Sequence, residues 1–352
     1  MSFLDKLNNS NSLLLKVDLY PKQGDRFQPT GFPNLGAAEY KRPDGVSMVL
    51  VESAQSMANR LEKMCLNDDG PMLNHELDGL PYVVSRISFN GKQIVTSSLI
   101  EPHRLNSPFI LDGKDGNEKF IDKLKSEMNY SKGQPLDWNK IASVILKYDP
   151  NSLLHGVFFA NMEGGRIKIQ RAVTGFIEAE DASVAESGGA KINLLGDPKG
   201  KIRVAENSKD IDDNVYGNVL YNRIEYTAKH ITAFFSIDLS LIRGYRLGPE
   251  AERLLISLSL YKIRRFLNSG LRLRTACDLK VNGKIESSVQ GFELPDENEL
   301  LKTVKEYIGI CKQKGLFSEN AVTELVVEAK EFTDKDQKSD QDNQDQDKET
   351  ND

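Results

Sequence analysis

Apolar and polar positions alternate with period two in two stretches near opposite ends of the chain's body. In Leu13-Leu-Leu-Lys-Val-Asp-Leu-Tyr20, Val17 and Leu19 stand opposite Lys16 and Asp18, which predicts a first strand. In Gly270-Leu-Arg-Leu-Arg-Thr-Ala-Cys-Asp278, Leu271, Leu273 and Thr275 alternate with Arg272, Arg274 and Ala276. One strand through this stretch would place leucines on one face and both guanidiniums on the other, about 7 Å apart. That spacing suits successive phosphates of an extended single strand, to which guanidinium offers a planar pair of donors.

Between these ends the pattern changes period repeatedly. The segment from Gly248 to Gly270 predicts a mostly buried helix. Ile256, Leu260, Ile263 and Leu267 form its stripe, broadened by Leu254, Leu255 and Leu258, and Pro249 opens its first turn. Glu250 and Glu252 suit the positive end of its dipole, Arg264 and Arg265 the negative end, and Gly270 a left-handed stop. A second helix is predicted over Val49 to Cys65, with Ala54, Met57, Ala58, Leu61 and Met64 inward and Gln55, Asn59, Arg60 and Lys63 outside the stripe. Asn90-Gly91, between Pro81–Phe89 and Lys92–Ser98, marks a hairpin. Helices are expected over 117–130 and 137–148, the latter capped by Asp137 with Trp138, Ile141, Val144 and Ile145 buried. Leu153–Phe159, Arg166–Ile177 and Asn222–Ser240 read as strands, the last holding His230 as a hydrogen-bonded sheet histidine. Glu297–Lys314 reads as an amphipathic helix and Val322–Glu328 as a closing strand. Strand, helix and hairpin in that order begin a ferredoxin-like split unit, giving an α/β (α+β) class.

Charge changes the picture once it is divided along the chain. The 352 residues carry a net charge of −6, but Thr333 to Asp352 holds eight acids and three lysines, net −5, which leaves the preceding body at −1. From Leu241 to Lys280 nine Lys or Arg stand against three acids. A near-neutral body with local basic clusters suits nucleic acid bound along one groove. Residues 1–330 are therefore expected to form a single domain with insertions near 21–48, 99–150 and 179–218, and 331–352 a disordered acidic tail. Cys65, Cys277 and Cys311 lack zinc or disulfide spacing and read as reduced thiols, which with no long apolar run predicts a cytoplasmic chain outside the membrane.

Candidate chemistry gathers in loops and helix starts. The segment Pro21 to Gly36 holds Arg26, Phe27 and Gln28 side by side, a charge, a ring and an amide of the kind single-stranded nucleic acid uses, although the ring could equally pack inward. Ser53 and Gln55 offer a hydroxyl and an amide to phosphate or ribose, Ser53 being also a possible cap. His103 and Arg104 follow the hairpin, Arg104 being the better backbone contact. Lys191 to Arg203 could form a basic hairpin about Asp197-Pro-Lys-Gly200. No nucleotide loop, dinucleotide turn, metal spacing or nucleophile elbow is present, so no cofactor, metal or catalytic residue is assigned.

Six blocks in order are similar to the CRISPR-associated RAMP backbone subunit of type I-G (formerly I-U) Cascade. They are Arg26–Pro33, Glu52–Glu62, Leu77–Tyr82, His103–Pro108, Leu154–Phe159 and Gly270–Asp278. The resemblance spans about residue 12 to 330 and implies a modified RNA-recognition fold elaborated into a hand. It implies copies that polymerise along a CRISPR guide RNA, join other Cascade subunits and present the guide to target DNA. Carried onto this chain, the RNA-binding candidates are Arg26, Gln28, Ser53, Gln55, Asn59, Arg60, His103, Arg104, Arg272 and Arg274, with Lys191 to Arg203 as a weaker candidate thumb. The same superfamily includes RNA-cutting members, so the alternative is an endoribonuclease acting on guide precursor or target RNA through Asp25 or His103.

Overall fold

The computed structural model describes residues 2–32, 36–68, 70–160, 162, 167–192, 219–269 and 271–329. The chain divides into two compact units, one drawn from Met1–Leu61, Thr174–Ile237 and Ile263–Asp296, the other from Glu62–Val173, Asp238–Lys262 and the chain from Glu297 on. The expected left-handed Gly270 and the acidic tail lie outside the described residues, as does most of the Lys191–Arg203 segment.

The first unit is built on β1 (Ser12–Pro21), β2 (Ser47–Glu52), α1 (Ala54–Lys63), β3 (Val173–Glu180), a ribbon of β4 (Ser183–Lys191) and β5 (Val219–Thr227), β6 (His230–Asp238), the end of α2 (Pro249–Asn268, which belongs to this unit from Ile263 on), β7 (Arg272–Arg274) and β8 (Cys277–Val281). Its main sheet runs β7-β8-β1-β6-β3-β2, with Glu39–Lys41 beyond β2 and Glu286–Ser287 also pairing β1. Within it, β8-β1-β6-β3 is the order a β-α-β-β-α-β chain gives when read as β1, α1, β3, β6, α2, β8. The fold is α+β with a ferredoxin-like core.

Strict alternation makes β1: Leu13, Leu15, Val17 and Leu19 are buried while Leu14, Lys16, Asp18 and Tyr20 are not. The helices meet the buried face through Gly175. A Cβ there would lie 2.7 Å from the Phe235 ring and 3.1 Å from Met57 of α1, and Phe266 of α2 meets Phe235 edge-on at 6.2 Å. Gly175→Ala is therefore expected to cost about 1–3 kcal/mol by overpacking, read as a lowered denaturation midpoint; a midpoint equal to wild type would mean the helix yields freely.

The second unit holds a five-stranded sheet ordered Lys92–Ser97, Tyr82–Phe89, Val322–Glu328, Lys114–Asp115 and Glu118–Lys119. Asn90 and Gly91 turn the hairpin with φ of 48° and 73°, as Asn-Gly permits. Tyr82–Phe89 then pairs in parallel with Val322–Glu328. This corrects the expected placement: the hairpin is not the middle of the ferredoxin-like core, which uses β3 and β6 instead. Long-range pairing decides this, and local turn chemistry carries no information about it.

Other elements depart from their sequence pattern for local reasons. Where the pattern predicts a helix start at Val49, Ser47–Glu52 forms a strand, and α1 begins only at Ala54. Asp149 caps a short helix, Pro150–His155, accepting from Asn151 N at 3.0 Å, so only Val157–Phe159 of the expected Leu153–Phe159 strand is extended. Asp137 does cap Trp138–Tyr148, and Ile141, Val144 and Ile145 are buried, but Trp138 is 49% exposed. His230 is exposed at the start of β6 and not a sheet-interior histidine.

Lys262 is fully buried within the second unit. Its ammonium donates to Asn151 Oδ1 and to His155 Nε2, both at 2.7 Å. Burial pulls the Lys262 pKa down; while its amine is charged it can only donate, which sets the His155 ring proton on Nδ1. Burial and then the Lys262 charge push the His155 pKa well down, while burial raises that of Asp149 to about 6. A buried cation facing neutral acceptors is an expensive arrangement that fixes one geometry around the start of the Val157–Phe159 strand.

Candidate nucleic-acid interface

Glu52, at the end of β2, is the hub of the first unit's polar surface and has no exposure. Its Oε1 accepts from Arg60 Nε at 2.6 Å and from the Ser56 hydroxyl, and its Oε2 accepts from Arg274 Nη2. The spacing is helical: Ser56 and Arg60 lie four and eight residues on, which brings both to the end of β2. Arg60 also donates to Leu273 O at 2.6 Å, and Arg274 to Gln28 O at 3.1 Å. Gln28 N in turn donates to Ala276 O at 2.8 Å. One carboxylate thereby ties together the segments Arg26–Pro33, Glu52–Glu62 and Gly270–Asp278, which lie far apart in sequence.

The Arg272–Asp278 stretch is a hairpin and not the single strand its alternation predicts. Leu271 and Leu273 are buried, Arg272 outward, but the ladder shifts register between Arg272 and Arg274, and Ala276 takes a φ of 57°. The two arginines therefore differ: the Arg272 side chain is 75% exposed, 4.0 Å from Asp278, whereas Arg274 is 25% exposed and held by Glu52. Nearby in the chain, Cys277 is buried, which pushes its thiol up to about 11.

The remaining candidates sort the same way. Arg26 is 54% exposed, 3.7 Å from Glu225, and Phe27 is fully buried with its backbone bridging Tyr226, so the ring packs inward and does not offer a stacking surface. Gln55 and Asn59 are exposed on α1, and Ser53 Oγ accepts from Ser56 N at 3.2 Å as a cap. In the second unit His103 is exposed, whereas Arg104 is buried with φ of 52°. Its guanidinium forks onto Glu62 at 2.6 and 2.9 Å and donates to Gly156 O at 3.0 Å. Glu52 and Glu62, the acids that hold these arginines, are residues that sequence reading passed over. Asp25 is exposed in its loop.

Two further surfaces belong to the first unit. Phe176 of β3 and Phe234 of β6 stack at 5.2 Å on the sheet face opposite the helices, lining an apolar groove with Leu14, Lys16 and Glu286. The β4–β5 ribbon pairs through nine residues from Ser183↔Thr227 to Lys191↔Val219 and exposes Val184, Val219, Leu220, Tyr221 and Ile224. Val184, Leu220 and Ile224 share one face of the ribbon, and Val219 and Tyr221 the other. Among the described residues no three His, Cys, Asp or Glu side chains group as metal ligands, and no helix is long and apolar enough to cross a membrane.

The β8-β1-β6-β3 order with its two helices is ferredoxin-like, and the exposed Arg26 and Arg272 lie in the same unit. Residues 13–184 match the family model described as CRISPR-associated protein GSU0053 (Cas_GSU0053). Similar solved structures include one titled "CRISPR RNA-guided surveillance complex, pre-nicking", at 13% identity and TM-score 0.39, covering 77% of this chain and 74% of that one. Csc2 of Thermofilum pendens aligns at 9% identity and TM-score 0.30, over 89% of this chain and 78% of that one. Among curated proteins none matches the chain.

Proposed function

We propose that this chain is a non-catalytic, RNA-binding backbone subunit of a type I-G Cascade effector. Copies assemble along a CRISPR guide RNA, hold its backbone without regard to sequence, and present its bases to target DNA. The observation that carries this reading is the family match over 13–184, which contains five of the six resembling blocks, while Glu52 joins the sixth to two of them. In this reading Arg272, Arg26, Gln55 and Asn59 face the guide, and Arg60, Arg274 and Arg104 brace the structure behind them. The exposed apolar β4–β5 ribbon supplies contact between copies, and further Cascade subunits complete the particle.

Arg272→Ala is expected to flatten the dependence of log affinity on log salt for single-stranded RNA by about 0.7, the contribution of one phosphate contact. Arg274→Ala, by contrast, should act chiefly on stability. A slope unchanged by Arg272→Ala rules out backbone contact at that residue. Cleavage of labelled guide precursor or target RNA that Asp25→Ala or His103→Ala abolishes would overturn the non-catalytic part.

A further inference from the structure

The second unit carries a cleft of about 370 Å³ lined by His103, Arg104, Phe158, Lys168, Gln170 and Arg171, together with the backbone about Gly156. Its volume falls in the roughly 300–1,000 Å³ range of small-ligand sites. Among the described residues that line it there is no Asp or Glu. Phe158 and Lys168 are direct cross-strand partners, so their side chains share one face, and both point outward where their neighbours Val157, Phe159, Ile167 and Ile169 are buried. Phe158 is 47% exposed, a large ring left open beside an ammonium.

The cleft wall is rigidly built. Gly156 has φ of 82°, and a Cβ there would lie 2.9 Å from Ile169 O. Its carbonyl is held by Arg104, and Arg171 Nε approaches His155 O at 3.4 Å. Behind the wall the buried Lys262 fixes Asn151 and His155. A ring, cations on the same wall and an exposed amide are what a nucleotide requires: a face for the base, charge for the phosphate and hydrogen bonds for its edges.

We infer that this cleft is a nucleotide-binding site in which the base stacks on Phe158 and the phosphate meets Lys168, Arg171 and His103. Where the nucleotide belongs to a bound RNA strand, the inference rests on the RNA-binding reading above; a free nucleotide would present the same chemistry. Both sources are tested on the full chain, with labelled oligouridine for the strand and uridine monophosphate for the free nucleotide. Phe158→Ala is expected to weaken binding about tenfold and Phe158→Trp to restore it, because stacking needs only a flat face. Lys168→Ala should flatten the oligouridine salt slope by about 0.7. Both side chains are exposed, so the variants should unfold like wild type.

Weakened oligouridine binding assigns the cleft to the strand, and weakening confined to uridine monophosphate assigns it to free nucleotide. Affinities for both ligands that ignore Phe158→Ala and Lys168→Ala overturn the site. If Arg272→Ala still weakens RNA binding in that case, the guide-binding reading stands without the cleft. If uridine monophosphate binds through Phe158 while no RNA binds at all, the cleft stands and that reading falls.

Discussion

Glu52→Ala is expected to destabilise the protein by about 3–5 kcal/mol, because it leaves two part-buried guanidiniums, Arg60 and Arg274, without the carboxylate that both grip. The loss should spread beyond the pair. Arg60 also holds Leu273 O and Arg274 holds Gln28 O, so the β7–β8 hairpin and the loop after β1 lose their common anchor. Urea titration reads the effect as a lowered midpoint, and Glu52→Gln should fall between, keeping one acceptor oxygen while its NH2 meets donors on the other side. RNA affinity measured well below the unfolding range should still depend on Arg272. A Glu52→Ala variant as stable as wild type would show that the three segments are held by packing alone.

Arg104→Ala is the second large effect, again about 3–5 kcal/mol, since the buried Glu62 would lose its bidentate partner. Arg104→Lys should recover little, because one ammonium cannot reproduce the fork onto both carboxylate oxygens and the further bond to Gly156 O. Replacing both partners with leucine should recover most of the loss, as no unpaired charge then remains buried. The check is a double-mutant cycle by denaturation. A double variant no better than Arg104→Ala would locate the defect in the left-handed backbone at 104 and not in the ion pair.

How far the sequence reached follows from the range over which each signal acts. Signals that act within a few residues read through: the β1 alternation, the Asp137 cap, the Asn90-Gly91 turn, and the buried stripe of α2. The Pro150–His155 helix carried its own local mark, an Asp cap followed by proline, but the apolar run after it outweighed that signal. Ser47–Glu52 is mostly buried on both faces and so lacks the alternation that would have marked a strand. The placement of the Tyr82–Ser97 hairpin depended on Val322–Glu328, some 240 residues away, and no local pattern encodes that.

The candidate interface shows the same division. The arginines were legible as residue types, but which of them face outward depends on acids elsewhere in the chain. Arg274 is taken by Glu52, 222 residues distant, and Arg104 by Glu62, 42 residues distant, whereas Arg272, two positions from Arg274, is left at the surface. Alternation predicts a face and is blind to counter-ions. The ring at Phe27 was equally ambiguous in sequence and is buried, while Phe158, unremarkable in sequence, is the open one.

The guide-binding proposal meets its sharpest check in the mass and nucleic acid content of the protein purified with and without a co-expressed CRISPR array. The expected result is discrete oligomers holding a guide-length RNA, falling to monomers when Arg26 and Arg272 are both alanine. An RNA-free species that ignores the array, and continues to do so with partner subunits present, would contradict it.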